Sequence, residues 1–260
     1  MMKRFALFGI VLLLFVPGAA IAAQKGPPTL SRVVRALERP FGPKASGPAA
    51  ITAFQADFTQ VSRISSLDRI QKGKGKVTVR LDHSARKTAP LPRFRWNYEQ
   101  PTPQEIISDG HTLWVFQPEN HQVIESKIDL SARKQPNDPL LFLTELGHLS
   151  TAFHLSWAEP KRNEQGDFLL QLVPKHPSPL LKRLVIAVRK EALENSAVKG
   201  KAVFPIAATT VFDSEGNSTL IRFHEVKTNL SLPEDYFHFT VPKGVEVLHS
   251  MPQFTPKSAE

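Results

Sequence analysis

The stretch RFRWNYEQPTPQEIISDGHTLWVF, residues 93–116, decides the fold because it places aromatic side chains on either side of turn residues. Its rings are Phe94, Trp96, Tyr98, Trp114 and Phe116. In each run the rings recur at every second position, a period typical of β-strands with one apolar face. The first run therefore predicts a strand whose rings share one face, with Arg93, Arg95 and Asn97 on the other.

The same alternation continues on both sides of this stretch, from Ile51 to Leu248. Asp109-Gly110, residues 118–120 and residues 214–217 carry the Gly, Pro, Asn and Asp residues that favour tight turns between strands. We expect about ten or eleven antiparallel strands and two short helices. The predicted fold class is mostly β (α+β), with a strongly curved antiparallel sheet.

Two segments have helical rather than strand periodicity. TLSRVVRALERP, residues 29–40, ends at a proline, and DPLLFLTELG, residues 138–147, begins with Asp-Pro and ends at Gly147. Their apolar faces have only the concave side of the sheet to cover, so we assign them as a lid. The lid residues are Leu30, Val33, Val34, Leu37, Leu140, Leu141 and Leu143.

The N-terminal residues 1–22 have the pattern of a secretory signal peptide. Lys3 and Arg4 precede a short apolar run, and Ala20-Ile21-Ala22 forms a small-x-small cleavage site. We expect an exported, periplasmic protein with a single domain over residues 23–248 and a disordered tail over residues 249–260. No linker rich in Pro, Gly and Ser divides the domain into halves.

Composition excludes several kinds of site. The chain has no cysteine, which excludes disulfides, thiolate metal sites and a cysteine-linked lipid anchor. The formal net charge of +9 favours anionic surfaces or partners without naming one. The rings are not interleaved with a cluster of basic residues beyond Arg93 and Arg95, which argues against nucleic acid.

The sequence contains no motif typical of a catalytic or cofactor site. It lacks a G-x-S-x-G elbow, an H-E-x-x-H pair and a dinucleotide-binding glycine pattern. His111 and His121 flank a predicted hairpin, but two histidines beside turns are more typical of a solvated surface than of a metal site. We therefore assign no catalytic residues, no metal and no cofactor. A lipid hydrolase stays open as an alternative, with His154 or His238 as the base.

Several motifs together carry a resemblance to a known family. FRWNYEQPTPQEIISDGHTLWVFQPENHQVIES closely resembles the signature of the periplasmic carrier of outer-membrane lipoproteins, the LolA family. Further similar segments are FQADFTQ from Phe54, DPLLFLTEL from Asp138, the D-x-x-G-N-x-T turn at Asp213 and FHFTVPKGVEV from Phe237. The likeness extends in order from about residue 50 to residue 248.

The resemblance implies an unclosed β-barrel with a helical lid around a hydrophobic cavity. In that family the cavity holds the acyl chains of a lipoprotein, which implies that the rings of residues 93–116 line a lipid-binding cavity. It also implies three partners: acylated lipoproteins, an inner-membrane ABC-type lipoprotein-releasing complex and an outer-membrane lipoprotein receptor. We expect a monomer. A related lipid-binding or envelope-stress-sensing protein with the same fold is the alternative.

One feature departs from the family pattern. Members usually carry an Arg-Pro pair before the Phe-x-Trp strand, where the arginine ties the barrel to the lid. Here Pro90 and Leu91 occupy those positions, after what resembles an inserted segment, DHSARKTAP. Either Arg80 or Arg86 replaces this lid latch, or the latch is lost.

Overall fold

The computed structural model describes residues 26–42, 44–81, 92–128, 146–176, 179–194 and 203–249. Its helices are α1 (Leu30–Glu38), α2 (Leu149–Ala152) and α3 (Glu191–Glu194). Its strands are β1 (Ala53–Ile64), β2 (Arg69–Arg80), β3 (Arg93–Gln100), β4 (Gln104–Ser108), β5 (Thr112–Gln117), β6 (Gln122–Lys127), β7 (Phe153–Arg162), β8 (Phe168–Pro174), β9 (Arg183–Val188), β10 (Ile206–Phe212), β11 (Ser218–Thr228) and β12 (Glu246–His249).

The strands form one sheet in the order β12-β6-β5-β4-β3-β2-β1-β11-β10-β9-β8-β7. Two antiparallel meanders, β1–β6 and β7–β11, are joined where β1 pairs with β11. Because β7 and β12 lie at the two ends, the sheet is not closed into a barrel.

Asn229 fastens the junction between the two meanders. Its backbone N–H donates to the carbonyl of Ala53 at 2.8 Å, and its Oδ1 accepts the backbone N–H of Thr52 at 2.9 Å. Its Nδ2 donates to the carbonyl of Ala50 at 2.7 Å. The residue has a φ of 56°, in the left-handed region that asparagine adopts more readily than most residues.

Helix α1 lies on the concave face of the sheet. Val33 and Leu37 are fully buried in the main apolar cluster, while Leu30 and Val34 pack at its edge. Every second residue of the neighbouring strands points into this cluster, as the period of two requires. The cluster includes Phe54, Phe58, Val77, Val79, Phe94, Ile106, Leu170, Leu172, Leu184, Ile186 and Phe204.

The opposite, convex face is covered over β2–β6 by residues 232–245, which we name the C-terminal strap. Phe239, Val241 and Val245 of the strap pack on a second apolar cluster, formed by Ile107, Trp114 and Val123 with Phe116 at its edge. The strap leads into β12, which pairs with β6. One sheet therefore carries two separate apolar layers.

The structure confirms the predicted fold class, a mostly β fold with an unclosed sheet and few short helices. The sheet has one strand more than the upper estimate, and β12 pairs in parallel with β6 rather than antiparallel. Helix α1 confirms the first predicted helix. Residues 1–22, residues 250–260 and most of the second predicted helix lie outside the described residues. Within the described residues, no helix is both long and apolar enough to cross a membrane.

Candidate functional site: the concave face and its helical cover

The centre of the concave face is aromatic. The ring of Phe58 lies 4.9 Å from that of Trp96 and 5.0 Å from that of Tyr98, centroid to centroid. Opposite Tyr98 in the register is Gly75, where a Cβ would lie 1.9 Å from the Asn97 carbonyl oxygen. Only glycine permits this approach of β2 to β3, at a register shift beside Lys74.

Polar groups among these rings are few. The Tyr98 hydroxyl donates to Oε1 of Gln60 at 2.8 Å, and burial raises the pKa of this phenol far above its ordinary range. It therefore stays protonated and remains a donor. The buried indole N–H of Trp96 makes no well-formed hydrogen bond among the described residues, although it lies near enough to the Tyr98 hydroxyl to oppose the rise in the pKa of that group. A buried donor without a partner is uncommon and marks a place where a ligand acceptor would fit.

Glu38, at the end of α1, provides a polar link between the helix and the rest of the domain. Its Oε1 accepts the backbone N–H of Leu149, the first residue of α2, at 2.8 Å. Burial raises the pKa of this carboxyl, and hydrogen bonds from the backbone N–H groups of Leu149 and Ser150 oppose the rise. The sequence analysis did not identify Glu38, because nothing in the sequence places α2 beside it.

The structure separates the aromatic residues predicted to line one cavity. Phe94, buried in the main cluster, and the half-buried Trp96 and Tyr98 lie on the concave face. Trp114 and Phe116 lie on the convex face beneath the C-terminal strap, where Trp114 Nε1 donates to Oε2 of Glu125 at 3.1 Å. The concave face instead gains Phe54 and Phe58 of β1, which the period-two pattern of FQADFTQ could have identified.

Only some of the predicted lid and latch residues lie at the concave face. Leu30, Val33, Val34 and Leu37 all pack against the concave cluster, whereas Leu140, Leu141, Leu143 and Arg86 lie outside the described residues. Arg80 is on the convex face, away from α1. Its guanidinium donates to the carbonyl of Leu232 at 2.8 Å, lies 3.6 Å from Glu234 and stacks over Phe237 at 5.5 Å. Arg80 therefore holds the C-terminal strap.

The histidines considered for catalysis or metal binding are not gathered into a site. His154 and His238 are both exposed, and His154 points away from the concave face. His111 and His121 lie at opposite ends of β5. The described part of the chain contains no group of three or more His, Cys, Asp or Glu side chains able to hold a metal ion.

The concave apolar face, its helical cover and the open sheet can be compared with known proteins. The family model described as outer membrane lipoprotein carrier protein LolA matches residues 49–240. The chain belongs to the LolA family. The match spans β1 to the strap, so it includes the concave aromatic centre and both meanders.

Relatives of this LolA-family chain have moderate sequence identity. An outer-membrane lipoprotein carrier protein of Hahella chejuensis is 27% identical over 203 residues, which are 78% of this chain and 84% of the relative. A protein of the same name from Pseudomonas putida KT2440 is 25% identical over 88% of this chain and 92% of the relative. The crystal structure of a LolA superfamily protein from Nitrosomonas europaea covers 82% of this chain and 99% of its own, with 14% identity and a TM-score of 0.39.

Proposed function

We propose that this protein is a periplasmic chaperone that binds the acyl chains of lipoproteins on its concave face. It accepts them from an ABC-type lipoprotein-releasing complex in the inner membrane and passes them to a receptor at the outer membrane. Membership of the LolA family and the names of the relatives support this proposal. The protein acts as a monomer, without a metal or cofactor.

One observation carries the proposal: α1 covers an apolar, aromatic concave face with two fully buried side chains, Val33 and Leu37. These side chains occupy the place that we assign to acyl chains. Binding then exchanges one apolar partner of the sheet for another, so the sheet keeps its apolar contacts while α1 moves aside. The edges of the sheet are not joined, which leaves it free to widen around cargo.

The energetic need for such a carrier follows from the cargo. Each methylene group transferred from water to an apolar environment gains roughly 0.8 kcal/mol, so a palmitoyl-length chain left in water costs on the order of 10 kcal/mol. A lipoprotein with two or three such chains cannot cross an aqueous compartment unescorted. A protein surface that replaces the bilayer must therefore be apolar and extended, as the concave face is.

The cargo is an ester as well as a hydrocarbon, and the concave face offers one matching polar group. The indole N–H of Trp96 is buried and makes no well-formed hydrogen bond among the described residues. We assign it as the donor to an acyl-ester carbonyl, because a buried donor gains most from an acceptor that arrives with the ligand. Phe58, which packs on Trp96, and Tyr98, which packs on Phe58, then contact the adjacent methylene groups.

The experiment that tests this function measures release of a radiolabelled lipoprotein from inner-membrane vesicles. The wild-type protein should release lipoprotein into the soluble fraction. Phe94→Glu places a carboxylate in the apolar cluster that α1 helps to cover. We expect the variant to remain folded, with α1 displaced so that the carboxylate reaches water, and to accept no acyl chains. Phe94→Leu is the control and should retain release, since it keeps an apolar group at the same position.

Two results would contradict the proposal: release by Phe94→Glu equal to that of wild type, or no release by wild type. Circular dichroism must first show that Phe94→Glu is folded, because an unfolded variant would make Phe94 an ordinary core residue. Mass spectrometry of lipid that co-purifies with the wild-type protein identifies the cargo. A lipid other than acylated lipoprotein would favour a related lipid-binding protein of the same fold.

A further inference from the structure

The end of the β1–β2 hairpin, residues 63–72, is exposed and partly apolar; we name it the hairpin tip. Leu67 is 65% exposed and Ile70 52% exposed, whereas the next most exposed large hydrophobic residue of the described chain, Leu248, is 38% exposed. These two side chains contribute little to the folded protein by packing. Large apolar side chains that stay in water usually mark a binding surface when they lie together.

The hairpin tip extends beyond β3 on one side of the hairpin, while on the other side β1 stays paired with β11 as far as Arg63, opposite Ser218. β2 pairs with β3 only as far as Lys74, opposite Gln100, and then continues to Arg69. Five further residues of strand extend roughly 17 Å at about 3.3 Å per residue. Leu67 lies beyond them, in the turn of residues 65–67, which contacts the β10–β11 turn through Ser65.

The neighbouring β10–β11 turn holds the tip in place. The backbone N–H of Ser65 donates to Oδ1 of Asn217 at 2.9 Å, and the Ser65 hydroxyl donates to the carbonyl of Gly216 at 2.6 Å. The exposed apolar residues are therefore carried by an ordered, hydrogen-bonded turn. Two acidic residues approach this region from outside the hairpin: Glu215 in the adjoining turn, and Glu99 beside Gln100, the β3 partner of Lys74.

Basic side chains surround the two apolar ones. Between residues 63 and 74 the chain has four basic residues and one acidic residue, Asp68, whose Oδ1 lies 3.9 Å from the Arg63 guanidinium. Arg69, Lys72 and Lys74 are exposed, and no acidic side chain of the described residues forms an ion pair with them. The tip thus combines two apolar groups with the unpaired positive charges of Arg69 and Lys72, and Lys74 adds a third just beyond it.

We propose that the hairpin tip docks on the surface of an anionic lipid bilayer, with Leu67 and Ile70 entering the boundary between headgroups and acyl chains. Arg69, Lys72 and Lys74 would then lie at the level of the lipid phosphates. A bilayer fits better than an acidic protein because Leu67 and Ile70 are exposed at the end of a hairpin, beyond the last residue of β2 that pairs with β3. A fluid bilayer can take up two exposed apolar side chains directly, whereas a protein partner would need a pocket of matching shape.

The inference goes beyond the proposed carrier function, since it concerns the membrane and not the acyl cargo. Docking would hold the carrier at the membrane through the hairpin tip. The tip lies on a different part of the sheet from α1. The interaction should be weak and reversible, because only two apolar side chains enter the bilayer. Reversible binding suits a carrier that must leave the inner membrane to reach the outer membrane.

The test is flotation with lipid vesicles that contain no lipoprotein, using protein exported to and purified from the periplasm of a Gram-negative host. Wild type should float with vesicles of phosphatidylcholine and 30% phosphatidylglycerol and much less with phosphatidylcholine alone. The double variant Leu67→Ser, Ile70→Ser should lower the partition coefficient by at least about tenfold, since each side chain contributes roughly a fivefold factor when half of it is withdrawn from water. Val173→Ser, an exposed apolar residue on β8, is the control and should float like wild type.

A second pair of variants tests the charges. Lys72→Gln with Lys74→Gln should weaken binding to the anionic vesicles by about fivefold per charge, whereas Lys161→Gln with Lys243→Gln, also exposed, should not. Failure of wild type to float, equal flotation with both kinds of vesicle, or equal losses in test and control variants would overturn the proposal. Acyl-probe binding by the Leu67→Ser, Ile70→Ser protein should be unchanged, which separates this result from a failure of the carrier function.

Discussion

At the scale of the residue, Glu38 sets how firmly α1 is held. Its carboxyl accepts the Leu149 N–H in a half-buried position, and burial raises its pKa above the ordinary value of 4.5. A raised pKa means that the folded protein binds the proton more tightly than the unfolded chain. The free energy of unfolding therefore falls as pH rises through the raised pKa, and this loss is absent below pH 4.5.

Substitutions of Glu38 should change the free energy of unfolding in the direction that this pH dependence predicts. Glu38→Gln keeps an acceptor for Leu149 but removes the buried charge, so it should be at least as stable as wild type at pH 7. The gain of this variant relative to wild type should shrink as pH falls below the raised pKa. Glu38→Ala removes both the acceptor and the titrating carboxyl, so it should cost about 1 kcal/mol, and more at pH 4 than at pH 7, because only the wild-type protein gains stability when the carboxyl is protonated. Urea unfolding at pH 4 and pH 7 measures both; a Glu38→Gln gain that grows at acid pH would contradict the assignment.

Trp96 offers a second prediction at this scale. Trp96→Phe removes the unpartnered N–H but keeps an aromatic ring against Phe58. Stability without ligand should change by less than about 1.5 kcal/mol, because the lost packing is offset by the loss of an unsatisfied donor. Affinity for an acyl ester should fall several-fold, while affinity for the matching alkane should not. Fluorescence titration with the two probes measures this, and equal losses for both would refute the donor role.

At the scale of the element, α1 should be the part of the core that opens most easily. It buries only one face, through Val33 and Leu37, whereas β1 and β11 are hydrogen-bonded to strands on both sides. Its amides should therefore exchange with solvent faster than those of β1 and β11. Hydrogen exchange followed by mass spectrometry measures the difference. Equal protection of α1 and these strands would argue against a lid.

The C-terminal strap is the element that Arg80 holds, which separates its role from that of α1. Arg80→Ala removes the bond to Leu232, the ion pair with Glu234 and the contact over Phe237. It should destabilise the protein by about 1–3 kcal/mol and increase hydrogen exchange in residues 232–245. Exchange in α1 should not change. An increase confined to α1 would restore Arg80 as the lid latch.

The strands were predictable from the sequence, but the faces of their rings were not. Phe94 pairs with Ser108, and Ser108 pairs with Leu113, so these three residues share one face of the sheet. The residue of β5 on the same face as Phe94 is therefore Leu113 and not its neighbour Trp114. The rings of β5 therefore point away from those of β3. One residue more or less in either turn would have placed them on the same face. Alternation fixes which residues of one strand share a face, whereas turn length relates one strand to the next.

At the scale of the whole molecule, Asn229 ties the two meanders together. Asn229→Ala removes its side-chain bonds to Thr52 and Ala50 and places alanine at a φ of 56°. We expect a loss of about 2–4 kcal/mol in the free energy of unfolding. Asn229→Gly relieves the backbone strain alone and should recover about 1 kcal/mol of it. Thermal denaturation measures both variants, and a loss below about 0.5 kcal/mol in Asn229→Ala would show that the junction does not depend on this side chain.

The global arrangement was only partly predictable. Two meanders follow from the turn signals, but the pairing of β1 with β11 joins segments separated by most of the chain. β12 has four residues and follows a long segment on the convex face, so its parallel pairing with β6 depends on where the strap leads it. The position of Glu38 beside α2 depends on the same long-range packing. Local periodicity contains no information about such contacts.

The free edge at β7 has a consequence for how the protein behaves in a crowded compartment. An unpaired edge strand can recruit a strand from another molecule and begin aggregation. The exposed half of β7, residues 159–162, has the sequence Glu-Pro-Lys-Arg. Pro160 has no N–H to donate, and an identical strand laid parallel and in register would bring like charges together. An open sheet can thus avoid the addition of strands from other molecules, because the proline and the charges of residues 159–162 make this edge a poor partner for another strand.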